Sequence, residues 1–180
     1  MAYESLGNPS RSCFLRNALR AILLVLALIL ILPKTVQPGA VLRIGDPVPR
    51  VMMNDLMGKK ITVPDSVKGN VAIIHFWAEG CSSCAKEMPA LESLYTAFKK
   101  KGLLVVAVNV GQSPDKVTAF IRKMRVTYPV ALDPENNTAK QYGALVLPMT
   151  FFLDRNGFIK YKILGEATEE ILKKLVIKML

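Results

Sequence analysis

Apolar and polar positions divide this 180-residue chain into unlike stretches. An unbroken apolar run from Ala21 to Leu32 lies inside "RNALRAILLVLALILILPK". Two further continuous runs, "VAIIHFW" (71–77) and "LLVVAVNV" (103–110), have the length of strands. Their lack of alternation predicts strands at the centre of a sheet covered on both faces. Elsewhere the spacing alternates or turns helical. "VPRVMMNDLMGKKITVPD" predicts a short hairpin turning near Met57-Gly58. A helix is predicted from about Ser82 to Lys101, with a basic last turn and Gly102 as its C-cap. "SPDKVTAFIRKMRV" predicts another, with Ser113 at the N-cap, Pro114 at the first helical position, and Val117, Phe120, Ile121 and Met124 on one face. "YPVALD" reads as extended and "NTAKQYGA" as a short helix ending at Gly143. "MTFFLD" and "FIKYKIL" flank an Asn-Gly turn and predict a hairpin. "TEEILKKLVIKML" closes the chain as an amphipathic helix capped by Thr168. The alternation implies an α/β domain, with a parallel pair joined by right-handed crossovers and antiparallel strands added by the late hairpin.

The first apolar run has twelve residues and arginines at 11, 16 and 20 before it. As a helix rising ~1.5 Å per residue it spans roughly 18 Å, the length of a signal-peptide core. Extended over Ala18 to Val36, with Arg20 and Lys34 snorkelling, it forms an uncleaved anchor, the favoured reading because no clear small-x-small cleavage site follows. Either way the positive flank keeps residues 1–20 in the cytoplasm and sends the body outward. The expected organisation is a basic N-terminus (1–20), an anchor or signal segment (21–36), a Pro- and Gly-containing linker (37–47) and a folded domain (48–180).

Charge adds one constraint. The net charge is +10. Four of the 24 basic and one of the 14 acidic residues precede residue 41, which leaves a body of +7. Apart from Lys99-Lys100-Lys101 the basic residues are dispersed and carry no aromatic-studded motif, so nucleic acid is not an expected partner. A solvated basic surface beside an anionic membrane suits the balance.

The chain has three cysteines, too few for a disulfide framework. Cys13 precedes the apolar run and would stay in the cytoplasm. Cys81 and Cys84 lie two residues apart, where a central strand meets a helix. There Cys81 gains the unpaired N–H groups and the dipole of the helix N-terminus, which favour a thiolate. Cys84, one turn on, is placed to attack a mixed disulfide. A structural disulfide would close too small a loop to stabilise much. Zinc needs four ligands and the chain offers this pair and one histidine; copper, which needs fewer, stays open.

"FWAEGCSSCAKEMPAL" resembles the active-site segment of the thioredoxin fold, and more closely that of the TlpA/ResA-like membrane-anchored thiol–disulfide oxidoreductases. The family pattern Phe-Trp-Ala-x-x-Cys-x-x-Cys-x-x-Glu-x-Pro is met by Phe76, Trp77, Ala78, Cys81, Cys84, Glu87 and Pro89. The resemblance extends over about 43–180, including the helical insertion around 114–125 and "LPMTFFLDRNG". It implies a thioredoxin-like three-layer α/β/α sandwich with an N-terminal β-hairpin and a central helical insertion.

The resemblance also implies roles. Cys81 and Cys84 are the redox couple, with no other cofactor and no metal. Pro148 matches the family's cis-proline, and Leu147 before it would face bound partners. Glu87 matches a glutamate that tunes the cysteines' acid–base chemistry. His75 occupies the position of a buried acid in thioredoxins, as a proton acceptor for Cys84 or as an ordinary core residue. Trp77 would cover the cysteines. Gly80 departs from the family, which favours a large side chain there, and Ser82-Ser83 replaces the usual proline-containing pair. The implied task is reduction of protein disulfides, often in apocytochrome c, with electrons from a membrane donor and the domain on the periplasmic side of the inner membrane. A peroxiredoxin-like peroxidase is the competing enzyme reading, but Ala78 stands where such enzymes place a threonine. A copper-binding or partner-binding module is the competing non-enzyme reading, though no histidine follows residue 75.

Overall fold

The computed structural model describes residues 41–180. The expected anchor or signal segment, Cys13 and the start of the linker lie outside them. No helix among the described residues is long and apolar enough to cross a membrane. Seven strands form one sheet: β1 (Val51–Asp55), β2 (Lys60–Val63), β3 (Val71–Trp77), β4 (Leu103–Val110), β5 (Val130–Asp133), β6 (Met149–Leu153) and β7 (Ile159–Leu164). Four helices accompany them: α1 (Ser82–Phe98), α2 (Pro114–Met124), α3 (Asn137–Tyr142) and α4 (Glu169–Met179).

The strand order is β2-β1-β5-β4-β3-β6-β7. β3, β4 and β5 are parallel, while β1 and β6 join them antiparallel. All seven residues of β3 are buried, the burial its continuous apolar run predicts. Its alternate residues serve two cores. Val71, Ile73 and Trp77 pack with α1, α2 and α4 through Leu91, Leu94, Val117, Leu172 and Val176. Ala72, Ile74 and Phe76 pack on the other face with the β1–β2 hairpin and with Ala139 and Tyr142 of α3. Helices thus cover both faces, giving the three-layer thioredoxin-like α/β/α arrangement. Each large side chain so buried contributes about 1.5–3 kcal/mol.

The expected hairpins, helices and strands are all present, with local differences. The helix expected to reach Lys101 is α-helical to Phe98, then tightens into a 3-10 turn over Lys99–Lys101. Gly102 follows at φ +90°, the left-handed C-cap that a residue lacking Cβ adopts without strain. Ser113 has the extended N-cap backbone before α2, but its hydroxyl makes no capping bond. Thr168 does cap α4, accepting from the Ile171 N–H at 3.3 Å.

Residues 42–48, where the expected linker meets the domain, lie on the sheet. Leu42 and Val48 are buried. The Gly45 N–H donates to Ile159 O at 2.8 Å, and the Ile159 N–H to Asp46 O at 3.0 Å. This arm therefore occupies the outer edge of β7 where that strand begins.

Six-residue α3 is too short to be stable alone. Its start is held from β5: the buried Asp133 carboxylate accepts from the Thr138 N–H at 3.1 Å and the Ala139 N–H at 2.8 Å. Asp133→Ala leaves two buried donors unpaired, and is expected to lower unfolding free energy by roughly 1–3 kcal/mol in urea titration. An unchanged midpoint would show that α3 does not depend on this carboxylate.

Candidate active site

The site lies where β3 ends and α1 begins. Ala78 to Cys81 form a tight turn closed by Cys81 N–H donating to Ala78 O at 3.3 Å. Gly80 is its third residue at φ +90°, while Glu79 is not left-handed. That is a type II turn, which favours glycine at this position. Open space surrounds a Cβ built on Gly80, so backbone conformation and not crowding selects the glycine.

Cys81 follows as the N-cap of α1, with φ −83° and ψ 103°. Its Sγ accepts from the Cys84 N–H at 3.2 Å. The two cysteines are joined as a disulfide, Cα–Cα 5.3 Å. Cys81 is half-buried and Cys84 is fully buried, so an external sulfur can reach only Cys81 without rearrangement. In the disulfide the Cys84 N–H and the N-terminus of α1 already face the Cys81 sulfur, a setting that favours a thiolate once the bond is reduced.

A buried polar chain joins the cysteine-bearing helix α1 to the sheet. Glu87, on α1, is 1% exposed and His75, on β3, is 0% exposed. They do not bond directly; His75 Nδ1 and Glu87 Oε1 are 3.9 Å apart. Thr150 of β6 links them, 2.9 Å from His75 Nδ1 and 3.2 Å from Glu87 Oε1. The antiparallel register of β3 and β6, in which His75 faces Thr150, makes the link. Burial pushes His75 down to about 3, so the imidazole is neutral. Burial pushes Glu87 up to about 7. The Thr150 bond opposes that rise, as does the Ala167 N–H, which forms no well-aligned hydrogen bond; the Glu166 carboxylate adds to it. With Glu87 ionised, the one consistent direction runs from His75 Nδ1–H to Thr150 Oγ1 and from the Thr150 hydroxyl to the carboxylate. His75 Nε2 and Glu87 Oε2 keep no hydrogen-bond partner. Glu87 thus has a proton affinity matched to neutral pH.

Of the other anticipated residues, Trp77 and Leu147 pack in the same core as the cysteines. Trp77 is fully buried in the same cluster as Cys84 and stacks on Phe120 of α2, centroids 5.1 Å apart. The Leu147–Pro148 bond is cis, as is Val63–Pro64, which the sequence did not announce. Pro148 is buried and its carbonyl accepts from the Gly165 N–H at 2.9 Å. Leu147 is half-buried against both cores, whereas Leu145 and Val146 before it are 80% and 58% exposed. Pro89 lies exposed inside α1, which continues through it.

Sequence reasoning passed over Thr150, Asn109 and Gln112 as site residues. A signal existed for two of them. Each of three central strands is an apolar run broken by one non-aromatic or imidazole polar residue: His75 in "VAIIHFW", Asn109 in "LLVVAVNV", Thr150 in "MTFFL". All three are fully buried. Gln112, in a loop, had no such mark.

Comparison with known proteins agrees with this geometry. The AhpC/TSA family model matches residues 44–162. The thiol–disulfide oxidoreductase ResA of Bacillus thuringiensis subsp. konkukian is 34% identical over 138 residues, covering 77% of this chain and 79% of that protein. The crystal structure of StoA from Bacillus subtilis is 32% identical with a TM-score of 0.62, covering 72% of this chain and 97% of that one. The solution structure of a thiol:disulfide interchange protein from Bacteroides sp. is 26% identical with a TM-score of 0.66, covering 76% of this chain and 91% of that one. With an attackable cysteine capping α1 and a buried partner one turn on, the chain belongs to the AhpC/TSA family of the thioredoxin fold, as a ResA-like thiol–disulfide oxidoreductase.

Proposed function

We propose that this thiol–disulfide oxidoreductase works outside the cytoplasm, held there by its N-terminal apolar segment, and that it runs as a reductase of protein disulfides, those of apocytochrome c among them. The unequal burial of the two sulfurs carries the reading. The Cys81 thiolate attacks a substrate disulfide, forming a mixed disulfide and releasing one substrate thiolate. Cys84 then gives its proton to Glu87 and attacks the Cys81 sulfur. The Cys81–Cys84 disulfide forms, the second substrate sulfur leaves as a thiolate, and the two substrate thiolates take up protons, one of them returned from Glu87. The substrate gains two electrons and the protein loses two. A membrane-borne thiol donor restores the dithiol, and the disulfide itself is the only redox group needed.

The exposed Leu145-Val146 pair, with Leu147 and the cis-Pro148, is read as an apolar lip for the partner's chain, Leu147 packing on the same core as Cys81. Glu87 is the proton carrier, because its raised affinity lets it take the Cys84 proton and return it near pH 7. His75 stays neutral and acts through Thr150 as a positioning residue, not as the base itself. The dispersed positive charge of the body favours residence at an anionic membrane surface.

Cys81→Ser is expected to reduce turnover of a model protein disulfide to the uncatalysed rate, while the same assay on Cys84→Ser accumulates the mixed disulfide. Activity surviving Cys81→Ser sinks the mechanism. The Cys81–Cys84 couple is expected near the thioredoxin value of ~−270 mV or below; a potential near ~−120 mV would make the protein an oxidant instead.

A second expectation concerns pH. Glu87 lies above its ordinary value of 4.5 in the fold, so the protein loses stability as pH rises above 4.5, and that loss is complete once pH has passed about 7. Glu87→Gln removes that penalty. Relative to the parent, the oxidised variant should gain on the order of 2 kcal/mol between pH 5 and pH 8 in urea unfolding. His75 shifts the other way, losing stability only as pH falls from 6.5 towards about 3, and is common to both proteins. An equal gap at both pH values would falsify the raised carboxylate.

A further inference from the structure

A second polar chain stands on the opposite side of the turn that presents Cys81. Asn109, near the end of β4, is fully buried and lies in register with Trp77 of β3. Its Nδ2 donates to Gln112 Oε1 at 2.8 Å. The same oxygen accepts from the Glu79 N–H at 2.6 Å, and Gln112 Nε2 donates back to Glu79 O at 3.3 Å. One side-chain amide therefore holds both backbone groups of a single residue. The direction of the amide is fixed, since two N–H groups meet one of its atoms and a carbonyl meets the other.

Glu79 is the second residue of the type II turn that ends at Cys81. Type I and type II turns differ by rotation of their central peptide, which here carries the Glu79 carbonyl and the Gly80 N–H. The Gln112 bond to that carbonyl therefore selects one orientation. Gly80 permits the type II form; it does not enforce it, because glycine tolerates the alternatives as well. Gln112 is itself anchored. Gly111 before it, at φ +73°, donates its N–H to Asp133 O at 2.9 Å, and Ser113 after it is the N-cap residue of α2. α2 also grips the strand end through the Phe120–Trp77 stack.

We infer that Gln112 is a positioning residue for the reaction: by locking the Glu79–Gly80 peptide it keeps Cys81 at the N-cap of α1, where its thiolate meets the helix N–H groups. This rests on the oxidoreductase reading above, yet concerns the reactivity of one sulfur, which can be measured without any substrate. When the clamp is lost, the turn samples other orientations and Cys81 spends time away from the cap. Its thiolate is then less favoured, and its attack slows.

The test is the pH dependence of Cys81 alkylation by iodoacetamide in the reduced full-length protein, with thermal melting alongside. Gln112→Leu removes all three bonds. It is expected to slow alkylation at pH 7 about tenfold, the equivalent of losing one N-cap interaction, and to move the titration midpoint upward. Gln112→Glu keeps the accepting oxygen and lacks the donor, so it should fall between Gln112→Leu and the parent. A lowered melting point with an unshifted Cys81 profile would mean that Gln112 only supports the fold, and the inference fails. If Gln112→Leu does not fold, Gln112→Glu decides: a shifted profile supports the clamp and an unshifted one overturns it. A parent protein that alkylates as described but reduces no protein disulfide overturns the oxidoreductase reading and leaves this inference standing.

Discussion

Complete burial of β3 is the constraint from which the rest follows. A strand with no solvent-facing side must be covered by helices on both faces and paired on both edges. β4 and β6 meet the second demand, and the two hydrophobic cores meet the first. The strand cannot shift register without moving its whole side-chain set to the wrong core. Its end is therefore a fixed point, and the turn into α1 starts from there. A reactive sulfur mounted just after so immobile an element inherits its position from the interior and needs no bound partner to set it.

The same burial creates the site's acid–base character. Polar groups within this sheet must satisfy one another, because water does not reach them. His75, Thr150 and Glu87 do so only in part, leaving His75 Nε2 and Glu87 Oε2 without a partner, and the cost of leaving a carboxylate in that setting is what raises its proton affinity. Histidine here is no substitute acid. Held neutral, it supplies an N–H to a hydroxyl, and in the proposed mechanism proton transfer falls to the glutamate on the helix.

Much of this was legible in the sequence, for identifiable reasons. Strands and helices followed from hydrophobic period, and the cysteine pair from its spacing and its place between strand and helix. The links among these parts were less legible. Thr150 meets His75 only through a strand register spanning 75 positions in the chain. Gln112 reaches Glu79 from a loop 33 residues away. Neither relation leaves a local pattern. Gly80 was visible as an oddity, but its reason, a positive φ, is a property of the folded turn. Ser113 showed the opposite failing: its residue type suits a cap, and the folded hydroxyl points to no helix N–H.

The arm at residues 42–48 has a bearing on how copies of this protein behave together. An open strand edge is a template on which a second molecule can build. Here the arm's backbone engages Ile159 where β7 starts, Pro47 bridges to Phe158, and Lys160 and Lys162 punctuate the rest of that strand. At the far side of the sheet β2 is four residues long and opens with Lys60. Neither margin invites a neighbour's strand. Growth of the described sheet by strand addition from a second copy is therefore disfavoured at both margins.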